Sequence, residues 1–245
     1  MPNILDSIAR SRTQIRPRSE AEFIALQIAR SLDDEQNAAD YPLLSHRYTI
    51  PALVHACASV RQYRKSGWPV LPHFRAVLEE QSGKEPGLPN LPLLAIRIER
   101  RCVALVAFHG LRLEYARTRN IPLVRAEATV AGFIRWALTQ FAGASVVLEQ
   151  KEAEESKRSE LLQTAVEVVR AAGVPLWEIP ETELFEAFGQ PGCKTRGQFR
   201  AAANHIFPTL RTRFCGRAGL DAAGLALLVQ SRRLLGQTEV TDPKR

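Results

Sequence analysis

The chain has 245 residues, of which 45% are hydrophobic and 24% charged, and a formal net charge of +7. This is an ordinary globular composition, long enough to bury a full core. No apolar stretch approaches the roughly 18 residues that a spanning helix needs, which argues against a transmembrane helix; no membrane partner and a cytoplasmic location are expected.

The opening segment, MPNILDSIARSRTQIRPRS, lacks the apolar core and small-residue cleavage site of a secretory signal and reads as a solvated arginine-rich arm. Ser19 followed by Glu22 is a capping box that predicts a helix over 19–33. Thr49, with Pro51 in the first turn, opens a second helix through ALVHACASVRQYRK, and PHFRAVLEEQ supplies a short third one. Tyr63 and Trp68 in this region read as core aromatics, with a docking surface as the alternative. SGKEPGLPNLP is the best linker. The expected division is therefore 1–90 as a helical N-terminal region with linker, 91–236 as a second domain, and 237–245 as a tail.

Three strands follow, Leu93–Ile98, Val103–Phe108 and Leu111–Thr118, separated by short turns at Glu99–Arg101 and His109–Gly110, so an antiparallel meander is predicted. Arg97 is the anomaly. It sits inside the apolar run LLAIRI, where a lone guanidinium costs several kcal/mol unless it has a partner or an opening to solvent. A helix over Ala126–Phe141 comes next, then a short strand of the parallel type at Ser145–Glu149. A helix carrying Leu161, Leu162, Ala165, Val166 and Val169 ends at Gly173, VPLWEI gives a fifth strand, and two or three helices close the chain, the last spanning about Leu220–Leu235. The order predicts an α/β fold: an RNase H-like five-stranded mixed sheet, three strands in an antiparallel meander plus two parallel ones, flanked by helices and preceded by the N-terminal helical extension.

Cys57 and Cys102 lie in apolar runs and read as reduced core residues, whereas Cys193 and Cys215 lie in basic loops. The four cysteines form no C-x-x-C pair and the histidines no H-x-x-x-H pair, so the usual zinc sites have no motif. From Gly192 to Arg245 ten Lys or Arg stand against three acids, an excess equal to that of the whole chain. A basic block of this kind is an expected footprint of polyanion binding, although solvated basic tails also produce one. No phosphate loop, dinucleotide fingerprint or G-x-S-x-G elbow is present.

Three stretches carry a resemblance. SVVLEQ ends the fourth strand on Glu149, GCKTRGQF sets Arg196, Gln198 and Phe199 after a glycine, and LDAAGLALLV opens the last helix on Asp221. Together they resemble the RuvC-like Holliday-junction resolvases of the RNase H-like superfamily, over roughly residues 92–235. The resemblance implies two divalent ions, usually Mg²⁺, held by carboxylates that sharpen an attacking water and stabilise the leaving oxygen. Glu149 and Asp221 match two of the family's acids. The first-strand aspartate falls on Arg97, and the second aspartate of the last helix falls on Gly224, so the acidic site reads as degenerate. A guanidinium where a metal ligand belongs repels Mg²⁺ by several kcal/mol.

The expectation is that Arg97 replaces the metal by pairing with Glu149, Asp221 or both. The first function reading is thus a nucleic-acid-binding pseudo-enzyme, needing no cofactor, that acts on structured or branched DNA in recombination. Lys194, Arg196, Arg200, Arg211, Arg213 and Arg217 would contact phosphates, DNA being favoured over RNA. A second reading is an active Mg²⁺- or Mn²⁺-dependent endonuclease with a rearranged site of Glu99, Glu149 and Asp221, two of which, Glu149 and Asp221, would ligate the metal. A third is a protein–protein scaffold. The resemblance also implies a homodimer.

Overall fold

The protein is described here from a computed structural model, which covers residues 15–63, 69–81, 92–150, 156–189, 191–212 and 216–237. Most of the expected linker, together with Trp68, Arg213, Cys215 and nearly all of the tail, lies outside the described residues, as do the side chains of Tyr63 and Arg211.

Helix α1 (Glu20–Ser31) starts where the capping box places it. Ser19 Oγ accepts from the Glu22 amide at 3.1 Å, and Glu22 Oε2 reaches back to the Arg18 amide at 2.7 Å. A short helix α2 (Asp40–Leu44), not foreseen from the sequence, follows. Helix α3 (Ile50–Tyr63) begins after Thr49, whose hydroxyl accepts from the Ala52 amide at 3.3 Å, and α4 (Val70–Gln81) starts two residues before the expected Pro72.

Strands β1 (Pro92–Ile98), β2 (Cys102–His109) and β3 (Arg112–Asn120) form the expected meander. Then come α5 (Ala126–Gln140), β4 (Ser145–Glu149), α6 (Lys157–Ala171) and β5 (Leu176–Ile179). The chain closes with α7 (Glu181–Ala187), α8 (Arg196–Ile206), α9 (Pro208–Thr212) and α10 (Gly216–Leu234). The sheet order is β3-β2-β1-β4-β5, with β1–β4 and β4–β5 parallel, which is the mixed sheet of the RNase H-like fold.

The period-two alternation of strand side chains divides the core into two layers. Leu94, Ile96, Val146 and Leu148 face α5 and α6. Leu93, Ala95 and Val147 face the other way, into a layer that also holds α10 and the N-terminal helices. Helix α10 is buried from Ala218 to Ser231, on all sides, because it lies between the sheet and α1. Cys57 and Cys193 are buried thiols, whereas Cys102, expected in the core, is only half-buried because it opens β2 at the turn.

Candidate functional site: a closed arginine–carboxylate cluster

The same alternation settles where Arg97 points. It follows Leu93 and Ala95 on the α10 face of β1, and its antiparallel partner on β2 is the small residue Ala104. In the parallel pairing, Ile96 lies opposite Leu148, so the next residues, Arg97 and Glu149, emerge side by side at the C-terminal ends of β1 and β4. Asp221, near the start of α10, lies across from both. Relative exposures of 2% for Arg97, 2% for Glu149 and 0% for Asp221 mean that none can be left unpaired.

Arg97 Nη1 contacts Glu149 Oε2, and Arg97 Nε lies 3.6 Å from Asp221 Oδ2. Glu99, two residues on and on the same face, accepts from Arg97 Nε at 3.1 Å and from Nη2 at 3.0 Å. The structure therefore brings Arg97 together with Glu149, Asp221 and Glu99.

Three further arginines complete the cluster. Arg196 and Arg200 were expected on phosphates; instead they turn toward the acids. Arg196 donates to Asp221 Oδ2 at 2.9 Å and to Glu149 Oε1 at 3.1 Å, and also pairs with Glu181 at the start of α7. Arg200 grips Asp221 through Nε and Nη2, both at 2.7 Å, the bidentate form of the contact. Arg158, missed from sequence, donates Nε to the Ile98 carbonyl at 3.0 Å and Nη2 to Glu149. The reason for the GCKTRGQF pattern is visible here. Thr195 Oγ1 caps the Gln198 amide at 3.2 Å while Gln198 Oε1 takes the Lys194 amide at 2.8 Å, fixing the start of α8 so that Arg196 faces the acids.

Four guanidinium groups thus meet four carboxylates, Glu99, Glu149, Glu181 and Asp221, and the charges cancel. Burial pushes the Arg97 guanidinium down to about 10, neighbouring Arg196 and Arg158 push the same way, and Glu99 and Asp221 pull back; it stays protonated at neutral pH. Burial also acts to lower Arg196, but Asp221 and Glu181 outweigh it, so that group is raised. Arg200 is raised by its hydrogen bond to Asp221.

The divalent ions that the family resemblance implies do not fit this donor set. Both oxygens of Glu149 and both of Asp221 face guanidinium nitrogens, and a cation would have to displace them. Among the described residues no group of three or more His, Cys, Asp or Glu is placed to hold a metal ion. At Gly224 there is no room for a side chain. A Cβ built on Gly224 would stand 2.5 Å from Phe199 Cζ and 3.3 Å from Phe188 Cζ, so the ring of Phe199 fills the space an acidic side chain would need.

Of the remaining predicted phosphate contacts, Lys194 and Arg217 are exposed. Two concavities of about 430 and 520 Å³ adjoin the cluster, and Arg200 and Arg217 line both.

Among solved structures, the chain is similar to T. thermophilus RuvC in complex with a Holliday junction substrate, at 13% identity and a TM-score of 0.50, over 61% of this chain and 99% of that one. It is also similar to a second Thermus thermophilus RuvC structure, at 14% identity and a TM-score of 0.48, with the same coverage of both chains. At 13% identity, the likeness to the first shows a shared fold. No protein-family model matches the chain, and no curated protein sequence matches it.

Proposed function

We propose that this chain is a nucleic-acid-binding protein built on the RuvC-like form of the RNase H-like fold, in which arginines have closed the cutting site, and that it binds branched or otherwise structured DNA. The observation that carries the reading is the Arg97 guanidinium lying between Glu149 and Asp221, at the strand end where the resemblance places a metal-binding aspartate. The two retained acids then act as structural anchors that tie β1, β4, α6, α7, α8 and α10 together. Support for the ligand comes from the excess of basic residues after Gly192, from exposed Lys194 and Arg217, and from the fold shared with a protein whose structure holds a Holliday junction. Arg211 and Arg213 belong to the same basic segment.

The test uses the purified full chain with four-way junction, duplex and single-stranded probes. Binding should weaken steeply between 50 and 200 mM salt, as contacts to phosphate require. A Lys194→Ala/Arg217→Ala variant should lower the slope of log affinity against log salt by about 2, at roughly 0.9 per lost contact. Salt-insensitive binding, or none to any probe, overturns the reading.

A rearranged endonuclease is the second reading, favoured by the presence of Glu99 in the cluster. Junction cleavage with Mg²⁺ or Mn²⁺ that Glu149→Gln abolishes would establish it in place of the first. A stable protein partner combined with no retention on heparin would point instead to the scaffold reading.

A further inference from the structure

The cluster arginines are all paired, but a second set on the opposite face of the sheet is not. Tyr115, Arg117 and Arg119 alternate along β3 with Ala116 and Thr118, so they lie on the α5 side, away from Arg97. Arg117, Arg119 and Arg135 on α5 are exposed and make no ion pair among the described residues. The two acids closest to them in sequence, Glu114 and Glu127, each contact another side chain. Glu114 lies 3.3 Å from His109, and Glu127 lies 3.1 Å from Lys157. Arg117, Arg119 and Arg135 thus leave exposed positive charge here, although the chain before Gly192 sums to zero.

Aromatic rings lie on the same face of the sheet. Tyr115 lies 6.0 Å from Trp136 and 5.5 Å from Phe141, and Trp136 stacks on Phe133 at 5.6 Å with the planes 9° apart. The indole is nevertheless 36% exposed. Leu123 and Val124, at 65% and 94% exposure, lead into the same helix. Core packing alone does not explain an exposed tryptophan set against neighbouring rings.

We infer that the strip formed by the edge strand β3 and helix α5 binds single-stranded nucleic acid, with phosphates on Arg117 and Arg119 and an unstacked base on Trp136 beside Tyr115. The inference rests on the nucleic-acid reading above but uses the other face of the sheet. Two residues of strand advance about 6.6 Å, close to the step between phosphates of an extended single strand. An indole can take a base only once that base has left its stack, which favours a single strand over an intact duplex. Cations and rings on one face favour a nucleic acid over an acidic peptide, which offers charge without a flat face.

The experiment titrates the full chain with a dT20 oligonucleotide, following tryptophan fluorescence and, with labelled dT20, anisotropy. Quenching of the indole is expected. Trp136→Ala should abolish that quenching and weaken binding at least about five-fold, the low end of what one stacked base contributes. Arg117→Ala/Arg119→Ala, which leaves the rings in place, should lower the salt slope by about 1.4, at roughly 0.7 per single-strand contact. Junction binding through Lys194 and Arg217 should persist in both variants. Junction binding without dT20 binding, or dT20 binding that both strip variants leave unchanged, overturns the inference and spares the reading it rests on. Displacement of dT20 by polyglutamate at equal charge concentration also overturns it, in favour of an acidic peptide. Loss of binding to every probe in the parent removes both.

Discussion

Arg97→Ala is expected to lower the unfolding free energy by about 3 kcal/mol, seen as a fall of about 6–12 °C in Tm. Breaking a buried ion pair from one side ordinarily costs about 3–5 kcal/mol, because the partner's charge stays buried. The low end applies because Arg158, Arg196 and Arg200 still hold Glu149 and Asp221 after the change. What is lost is a side chain among the largest fully buried ones in the protein, together with its contacts to three carboxylates. Arg97→Lys should recover only part of the loss, since a single ammonium cannot present the forked donors that face Glu99, Glu149 and Asp221 together. A variant of Arg97→Ala that melts with the parent would contradict the pairing.

Gly224→Asp is expected to be more disruptive than Arg97→Ala, although the resemblance places an aspartate at that position. The new Cβ would meet Phe199 Cζ at 2.5 Å and Cε2 at 2.8 Å. Overpacking of this kind costs about 1–3 kcal/mol, and a carboxylate buried among apolar rings costs several more. A loss of about 4 kcal/mol or more in unfolding free energy is expected, read from denaturant unfolding. Gly224→Ala separates the two contributions, since it adds the clash without the charge, and should cost about 1–3 kcal/mol. Phe199 is itself gripped by Phe188, edge to face at 4.8 Å, and by Phe185 at 5.6 Å, so it cannot easily move aside. If Gly224→Asp folded as stably as the parent, the aromatic filling would not be what excludes the acid.

The sheet was legible because apolar runs such as LLAIRI and VALVAF stand between short turns, and because a helix separates the last two strands. Period-two alternation then carries most of the site. Counting from Leu93 puts Arg97 on the face of Ala95, and the end of SVVLE puts Glu149 beside it. The other three arginines were not legible as cluster members, since Arg158 comes from α6 and Arg196 and Arg200 from α8, and no local spacing links them to strand ends. Arg196 had a readable signal: it is the first residue after a Thr-x-x-Gln cap, which fixes its backbone. Long side chains with a choice between solvent and a buried acid cannot be assigned by pattern. Their donors went to carboxylates because Asp221 and Glu149 are buried and have to be paired. Trp136 went unseen for a related reason, since helical periodicity marks apolar residues as core and cannot flag the one left at the margin.

The closure of the acidic site is tested most directly by titrating the full chain with Mn²⁺ and following free metal by electron paramagnetic resonance. The account predicts no saturable site at millimolar metal, in the parent or in Glu149→Gln. Saturable binding of one or two ions by the parent, lost in Glu149→Gln, would contradict it.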